Sequence, residues 1–133
     1  MVAEAEANPP PASDFSILVK QGELWRLVGI KILLTTDANV VDRQMRLFLH
    51  NGVQDSIAFL ASEVQTASTA TLYQAAAGVS GFSAIPPSVS QILAMGNDVF
   101  IDFGWELKSL VQGFQVGDQL SQIVVVTERW AVV

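Results

Sequence analysis

Residues 24–36 read LWRLVGIKILLTT, and this stretch decides the fold. Every second residue from 24 to 34 is apolar except Arg26; the apolar ones are Leu24, Val28, Ile30, Ile32 and Leu34. Alternation with a period of two predicts a β-strand with one face in a core, and the mixed residues of the other parity are expected to be half covered by neighbouring protein. A helix is the alternative, but it would place Gly29 in its interior and restrict the β-branched side chains. We therefore predict a long strand over residues 24–36.

The segment after this strand predicts a β-hairpin. Asp37 and Asn39 end the strand, because their side chains bond their own backbone in turns. Residues 43–50 resume the alternation, and an Asn-Gly pair at 51–52 follows directly. Asn-Gly between two alternating runs is typical of a type I′ turn, since both residues accept a positive φ. Residues 43–50 are therefore expected to pair antiparallel with residues 54–62.

The remaining chain predicts further strands. Residues 15–19 suggest a short edge strand, and the later candidates are the Thr-rich run 64–74, the alternating run from Val99 to Trp105, and the β-branched run 122–130. Residues 88–95 fit either a strand or one helical turn. About eight strands separated by short turns are typical of a sandwich, a jelly roll or a barrel. We predict an all-β, two-sheet antiparallel β-sandwich with a jelly-roll-like arrangement.

Two segments stand outside this pattern. Residues 75–87, AAAGVSGFSAIPP, form the longest connection, which is expected to be functional or to cross from one sheet to the other. Residues 1–13 contain Pro9, Pro10 and Pro11, which favour an extended form and cannot donate ladder hydrogen bonds. We predict a flexible N-terminal arm over residues 1–13, extended or disordered, followed by a single sandwich domain over 14–133. The arm is either a tail without a role or a segment that orders on a neighbouring subunit.

Composition narrows the classes of function. Half of the 133 residues are apolar and 15% are charged, yet no apolar run approaches the roughly 18 to 20 residues of a spanning helix, so the surplus apolar surface is expected to be buried between subunits. The net charge of −6 comes without a basic cluster, so neither nucleic acid nor a membrane is expected as a partner. The absence of cysteine excludes disulfides, thiolate zinc sites and a cysteine nucleophile. An acidic N-terminus is unlike a secretion signal, and we expect synthesis in a cytoplasm.

No catalytic motif is present. His50, the single histidine, lies at a predicted strand end without an evident orienting partner. Aspartates are expected to make local hydrogen bonds at turns or strand ends, with a calcium site or a glycosidase pair as the alternatives; they are Asp37, Asp42, Asp55, Asp98 and Asp118. G-x-S-x-G, Walker and G-x-G-x-x-G motifs do not occur. We therefore expect a protein that is not an enzyme and uses no metal or cofactor.

The aromatic residues allow one further class of function. Trp25, Trp105, Trp130 and Tyr73 offer flat faces on which a sugar can stack, as in carbohydrate-binding sandwich modules. The alternative is that they fill the core or an interface, and Trp105 shares its parity with Val99 and the apolar residues between them.

Four pieces of the chain together resemble small structural proteins of tailed bacteriophages: residues 25–52, residues 65–78, the proline-containing loop, and residues 116–130. The shared elements are a strand that begins with Trp25, the Thr-Asp-Ala turn at 36–38, Arg43 in the next strand, and the Gly-Asp-Gln turn at 117–119. Residues 95–97, Met-Gly-Asn, stand where those proteins have a Pro-Gly turn. The resemblance covers about residues 24–130.

This resemblance implies a virion component, most like the cement (decoration) proteins that sit on a capsid and clamp neighbouring capsomers, commonly as homotrimers. Its partner would be the major capsid protein, reached by the arm and the long loop. Low charge density, apolar strand faces and an extended segment suit such an assembly role. The alternatives are another virion part, such as a head fibre base, a tail or an adaptor protein, and a carbohydrate-binding module. The candidate contact residues are Pro9, Pro10, Pro11, Phe15, Trp25, Phe82, Pro86, Pro87, Trp105 and Trp130.

Overall fold

The computed structural model describes residues 1–61, 63–79, 82–83 and 90–132. Within these ranges every regular element is a strand, and no helix is long and apolar enough to cross a membrane. The strands are β1 (Val2–Ala5), β2 (Ser16–Leu18), β3 (Glu23–Thr35), β4 (Arg46–His50), β5 (Asp55–Leu60), β6 (Ala70–Ala76), β7 (Phe82–Ser83), β8 (Ser90–Leu93), β9 (Phe100–Ile101), β10 (Glu106–Ser109) and β11 (Gln119–Ala131).

The strands form two sheets that enclose one apolar core. The larger sheet has the order β1-β11-β3-β6-β8-β7, with β9 also paired to β3, and the smaller has the order β2-β10-β4-β5. Buried side chains of both sheets form a single cluster, to which β3 and β4 contribute Leu27, Ile32, Leu47 and Leu49. The predicted all-β, two-sheet sandwich is confirmed. One pairing is parallel, that of β6 with β8, and the others are antiparallel.

Several predicted elements occur where the alternation placed them. β3 occupies almost the whole of residues 24–36, β2 lies at the edge of the small sheet, and β4 pairs with β5 as the predicted hairpin. The predicted type I′ turn is wrong, because four residues, 51–54, join the two strands and Asn51 does not have the positive φ that Gly52 has. Residues 88–95, which fitted either a strand or one helical turn from the sequence, contain strand β8. The expected crossing of residues 75–87 between sheets is wrong, because β6, β7 and β8 all belong to the large sheet.

A β-bulge changes the face that β3 buries. Leu27 pairs with Thr127 and Gly29 pairs with Val126, so Val28 is an extra residue without an opposite partner. An extra residue reverses the alternation beyond it. The buried residues of the strand are consequently Trp25, Leu27, Ile30, Ile32 and Leu34. The alternation predicted that Leu24, Val28, Ile30, Ile32 and Leu34 all face the core. This prediction is wrong for Leu24 and Val28 and correct for the three residues after the bulge.

The N-terminal residues are extended along β11 of the same chain. β1 pairs antiparallel with β11, from Val2 opposite Thr127 to Ala5 opposite Val124. Beyond β1, the Glu6 amide donates to the Ile123 carbonyl at 2.8 Å. We call residues 2–10 the N-terminal strap. The prediction of an extended segment agrees with this arrangement, but that of a flexible arm does not, because the backbone pairs with a strand edge that would otherwise be open.

The bulge predicts which of two adjacent side chains supports the core. Leu27→Ala should lower the free energy of unfolding by about 2–5 kcal/mol, because Leu27 is fully buried. Val28→Ala should lower it by less than about 1 kcal/mol, since Val28 is half-buried on the other face. Urea denaturation of the two variants measures the difference. The reverse order would mean that β3 keeps one parity throughout.

Candidate functional site

Two loops that are distant in the sequence meet around Arg43 at one end of the sandwich. Asp37 follows β3, Arg43 precedes β4, and Asp118 immediately precedes β11. The side chains of Arg43 and Asp118 are both completely buried. A buried charge is tolerated only when it is paired and hydrogen-bonded, so this end of the sandwich depends on how the guanidinium is satisfied.

The guanidinium of Arg43 has all five of its N–H groups engaged. Nε donates to Oδ2 of Asp118 at 3.0 Å and Nη2 donates to Oδ1 of Asp118 at 3.0 Å, which makes a forked ion pair. Nη2 also donates to Oδ1 of Asp37 at 2.7 Å. Nη1 donates to the carbonyl oxygens of Asn39 and Val41. Forked charge-assisted bonds of this kind fix geometry as well as supply energy.

The two carboxylates also accept hydrogen bonds from loop backbone. Oδ1 of Asp118 accepts from the amide of Asp37 at 2.9 Å, and its Oδ2 accepts from the amide of Gln115 at 2.9 Å. Desolvation acts to raise the pKa of Asp37, but bonds from the amides of Asn39 and Gly117 and the charge of Arg43 outweigh it and leave that pKa below its ordinary value. The hydrogen bond to Asp118 raises the pKa of Arg43 above its ordinary value despite burial. Both shifts favour the charged forms of Asp37 and Arg43.

A second layer of buried polar groups joins β6 to this cluster. The amides and carbonyls of Arg43 and Gln65 bond each other at 2.8 and 2.7 Å. The Gln65 side-chain amide donates to the carbonyl of Leu34 at 2.8 Å and accepts from the hydroxyl of Tyr73 at 2.9 Å. Every buried side-chain polar atom in the described part of the chain has a hydrogen-bond partner. The loops at this end are consequently fixed to both β3 and β6.

Close backbone approach brings the last loop into place. Gly113 has a φ of +84°, and a Cβ atom there would overlap the carbonyl oxygen of Asp42. A Cβ on Gly117 would lie 2.9 Å from the Asp37 side chain. Only glycine permits this contact between residues 113–117 and the loop after β3.

The loops tied to Arg43 carry exposed valines. Val40 is 94% exposed and Val116 is 81% exposed. Val41 and Val64 are also exposed and line one shallow groove at this end. We call these four residues the valine end. Apolar side chains displayed on rigidly held loops are typical of a contact surface, since little conformational freedom is lost on binding.

The outer face of the large sheet is a second apolar surface. A groove on it is lined by Gly29, Lys31, Gln74, Ala76, Val124 and Val126. Lys31 is the one charged residue among them, and the missing side chain of Gly29 deepens the groove floor. We call this surface the outer sheet face. An apolar sheet face of this type is expected to be covered by other protein.

The outer face of the small sheet is different, because it carries charge. Asp55 accepts from Lys108 at 3.1 Å and lies 3.0 Å from Nδ1 of His50. The bond from Lys108, helped by that from His50, lowers the pKa of Asp55. His50 therefore has a partner in Asp55, contrary to the prediction from the sequence, and it lies at the end of β4 as predicted. The charged side chains make this a typical solvent face.

The structure separates the predicted contact residues. Phe15 and Trp25 are buried in the core, and the guanidinium carbon of Arg129 lies 3.9 Å from the Trp25 ring centroid. Trp105 is partly buried against the core, whereas Trp130 is exposed. As contact residues, Phe15 and Trp25 are wrong, because a neighbour has no access to them.

The other predicted contact residues lie elsewhere. Pro9 is in the strap and Pro10 and Pro11 begin the turn after β1, where the carbonyl of Pro9 accepts from the Gln119 side chain at 2.7 Å. Phe82 lies in β7, but its side chain is outside the description. Pro86 and Pro87 lie outside the described residues.

The local sequence pattern did not predict the Arg43 cluster. It assigned Asp37 and Asp118 to local turn bonds, and Asp37 does accept from the amide of Asn39, but Asp118 pairs with an arginine 75 positions away. The sequence did contain one indication of the cluster. Arg43 is separated by two and four residues from the apolar residues Met45 and Leu47, so the alternation places the arginine side chain on the core side. In the described ranges, no group of three or more histidine or acidic side chains is arranged to hold a metal ion.

Comparison with protein-family models, with curated proteins and with solved structures found no match. Three of the motifs that carry the resemblance to phage structural proteins lie together in the structure. Thr36–Ala38, Arg43 and Gly117–Gln119 are adjacent in space, because they build the cluster described above.

The cluster predicts a large cost for losing Arg43. Arg43→Met should lower the free energy of unfolding by about 3–5 kcal/mol, because Asp118 would remain buried without a cation to pair with. Arg26→Met is the matched control, since its pair with Glu128 at 2.8 Å is partly exposed and should be worth less than about 1 kcal/mol. Urea denaturation measures both. Equal losses would contradict the central role of the cluster.

Stability should depend on pH through Asp37. Because its pKa is lowered in the fold, the stabilisation that its charge provides is complete above the ordinary value and is lost as the pH falls through the lowered value. Asp37→Asn should therefore reduce the urea midpoint at pH 7, and the difference from the unmodified chain should shrink as the pH falls below 4. Asp42→Asn, an exposed change in the same loop, controls for net charge. A difference that is independent of pH would contradict this account.

Proposed function

We propose that the chain is a structural protein of a tailed-phage virion, a capsid cement (decoration) protein that stabilises the head by bridging capsomers. In this role it is not an enzyme and uses no cofactor, nucleic acid or membrane. It is made in the host cytoplasm and functions in the virion, where its partner is the major capsid protein. The observation that carries the proposal is the presence of two separate apolar surfaces, the outer sheet face and the valine end, on one small sandwich.

Each surface suits one of the two contacts that a cement protein makes. The groove on the outer sheet face is lined mostly by apolar residues, which suits an interface between identical subunits. A closed ring, such as the homotrimer that the resemblance implies, repeats one contact around an axis and covers this face in every copy. The valine end then remains free for the capsid. Its loops are already fixed by Arg43 and Asp118, so binding orders little additional chain.

One observation favours a second candidate, a carbohydrate-binding module. The exposed rings of Trp130 and Phe100 have centroids 6.2 Å apart, next to the ion pair between Arg26 and Glu128. Exposed aromatic rings beside hydrogen-bonding groups are suited to sugars. The two rings are tilted by 40°, however, and do not form one flat platform. Quenching of tryptophan emission by host polysaccharide, lost in Trp130→Ala, would support this candidate over cement.

The valine end gives the proposal a direct test. The double substitution Val40→Asp and Val116→Asp should leave the fold intact, because both side chains are exposed, and should weaken cosedimentation with empty heads of the parent phage at least tenfold. Light scattering of the unmodified protein should give the mass of a closed oligomer, and the double variant should keep that mass.

Val53→Asp is the matched control, since Val53 is 87% exposed but lies in the hairpin turn at the far end of β4. It should bind shells like the unmodified protein. A monomer that does not bind empty heads would refute the cement role and leave the sandwich unaffected. Equal loss of binding in both variants would show that added charge, and not the valine end, is responsible.

A further inference from the structure

The strap is attached almost entirely through one partner strand. All four residues of β1 pair with β11, and Val2, Ala3 and Ala5 are exposed. Its side-chain contact with the body is the ion pair between Glu4 and Arg129 at 3.0 Å, and Arg129 also lies near the end of β11. The strap therefore docks on the edge of β11 without contributing to the core. Detaching it breaks the edge pairing, the Glu4–Arg129 ion pair and the bond from Gln119 to the Pro9 carbonyl but no core contact, which places it at the low end of local stability.

A strained turn joins the strap to the sandwich. The amide of Ser13 donates to the carbonyl of Pro10 at 3.2 Å, which closes a turn with Pro11 and Ala12 at its centre. Ala12 has a φ of +58°. A turn with proline second and a positive φ third is of type II, in which glycine is the favoured third residue. With alanine there the closed turn is strained, because its Cβ disfavours the left-handed region.

If the strap detaches, the edge of β11 that it covers is left unpaired. β11 is flanked by β3 on one side and by β1 on the other. Without β1, the amides and carbonyls between Ile123 and Thr127 would form an unpaired edge, which is a template for another chain. The same edge exists in every copy of the protein, and it accepts a segment of this sequence.

We propose that the strap is exchanged between copies of this chain, so that β1 of one copy pairs with β11 of a second copy in the register seen within the chain. The turn from Pro10 to Ser13 is the hinge. When it opens, Ala12 leaves the left-handed region, while the strand pairing and the contact of Glu4 with Arg129 are remade on the second copy. Exchange of an identical element loses few contacts, and a strained hinge favours it. The inference does not depend on the proposed function, because its partner is a second copy.

Engineered cysteines test the exchange, because the chain has none of its own. Ala3 and Val126 are register partners, so the full-length variant A3C/V126C should form a disulfide after oxidation. Exchange predicts covalent oligomers on a non-reducing denaturing gel, increasing with protein concentration. L33C/L72C is the matched control, since it joins register partners in the central strands β3 and β6 and should give crosslinked monomers.

Two results would overturn the proposal. One is crosslinked monomer alone from A3C/V126C at every concentration, including one at which light scattering finds an oligomer. The other is covalent oligomer to the same extent in both cysteine variants, which would show that the crosslinks are unrelated to β1. Neither measurement involves capsids, so failure here is distinguishable from failure of the cement role.

Substitutions at the hinge provide an independent readout in the A3C/V126C background. Ala12→Gly relieves the strain of the closed turn and should lower the exchanged fraction about tenfold for each hinge. Ala12→Val increases the strain and should raise it, since a β-branched residue tolerates a positive φ poorly. An exchanged fraction that is the same in both hinge variants would overturn the proposal, because the turn would then not be the hinge.

Discussion

The buried ion pair between Arg43 and Asp118 is the interaction on which the arrangement of the loops and strands depends. Removing a guanidinium from water has a cost of several kcal/mol, so all of its donors need acceptors and their geometry has to be good. Arg43 satisfies this condition with the carboxylates of Asp37 and Asp118 and with loop carbonyls. Those acceptors lie far apart in the sequence, so the ends of β3 and the beginnings of β4 and β11 have one mutual arrangement that satisfies the charge. The same requirement orders the loops that display the valines.

Contact surfaces and solvent surfaces are distributed unequally over the sandwich. The small sheet shows Lys108, Asp55 and His50 on its outer face, whereas the large sheet has a groove in which Lys31 is the one charge. A monomeric sandwich of this size needs a single core between its sheets. The additional apolar face is therefore the feature on which the proposed assembly role depends.

Local pattern predicted most of the long strands, whereas the pairing between strands had to come from the structure. The pattern missed β1, and it predicted a strand over Val99–Trp105, of which only Phe100–Ile101 is a strand. Alternation located β3, and Asn-Gly located the β4–β5 hairpin, because both signals lie within a few residues of chain. The bulge at Val28 was missed, since one unpaired residue is visible only against a partner strand. Pairing of β1 with β11 joins opposite ends of the chain, and proline at 9–11 suggested only extension. The alternation indicated that the side chain of Arg43 faces the core, but nothing in the sequence indicated that Asp118 is its partner.

The order of strands in the large sheet has a consequence for how the protein forms. β11 lies between β1 and β3 but follows both in the chain, so this half of the sheet stays incomplete until β11 has been synthesised. During that interval the long apolar strand β3 has no partner along one edge. Sheets built from such distant pairings fold slowly and are vulnerable to aggregation before they close. The yield of soluble protein should therefore be limited by the late arrival of one strand and not by the stability of the finished sandwich.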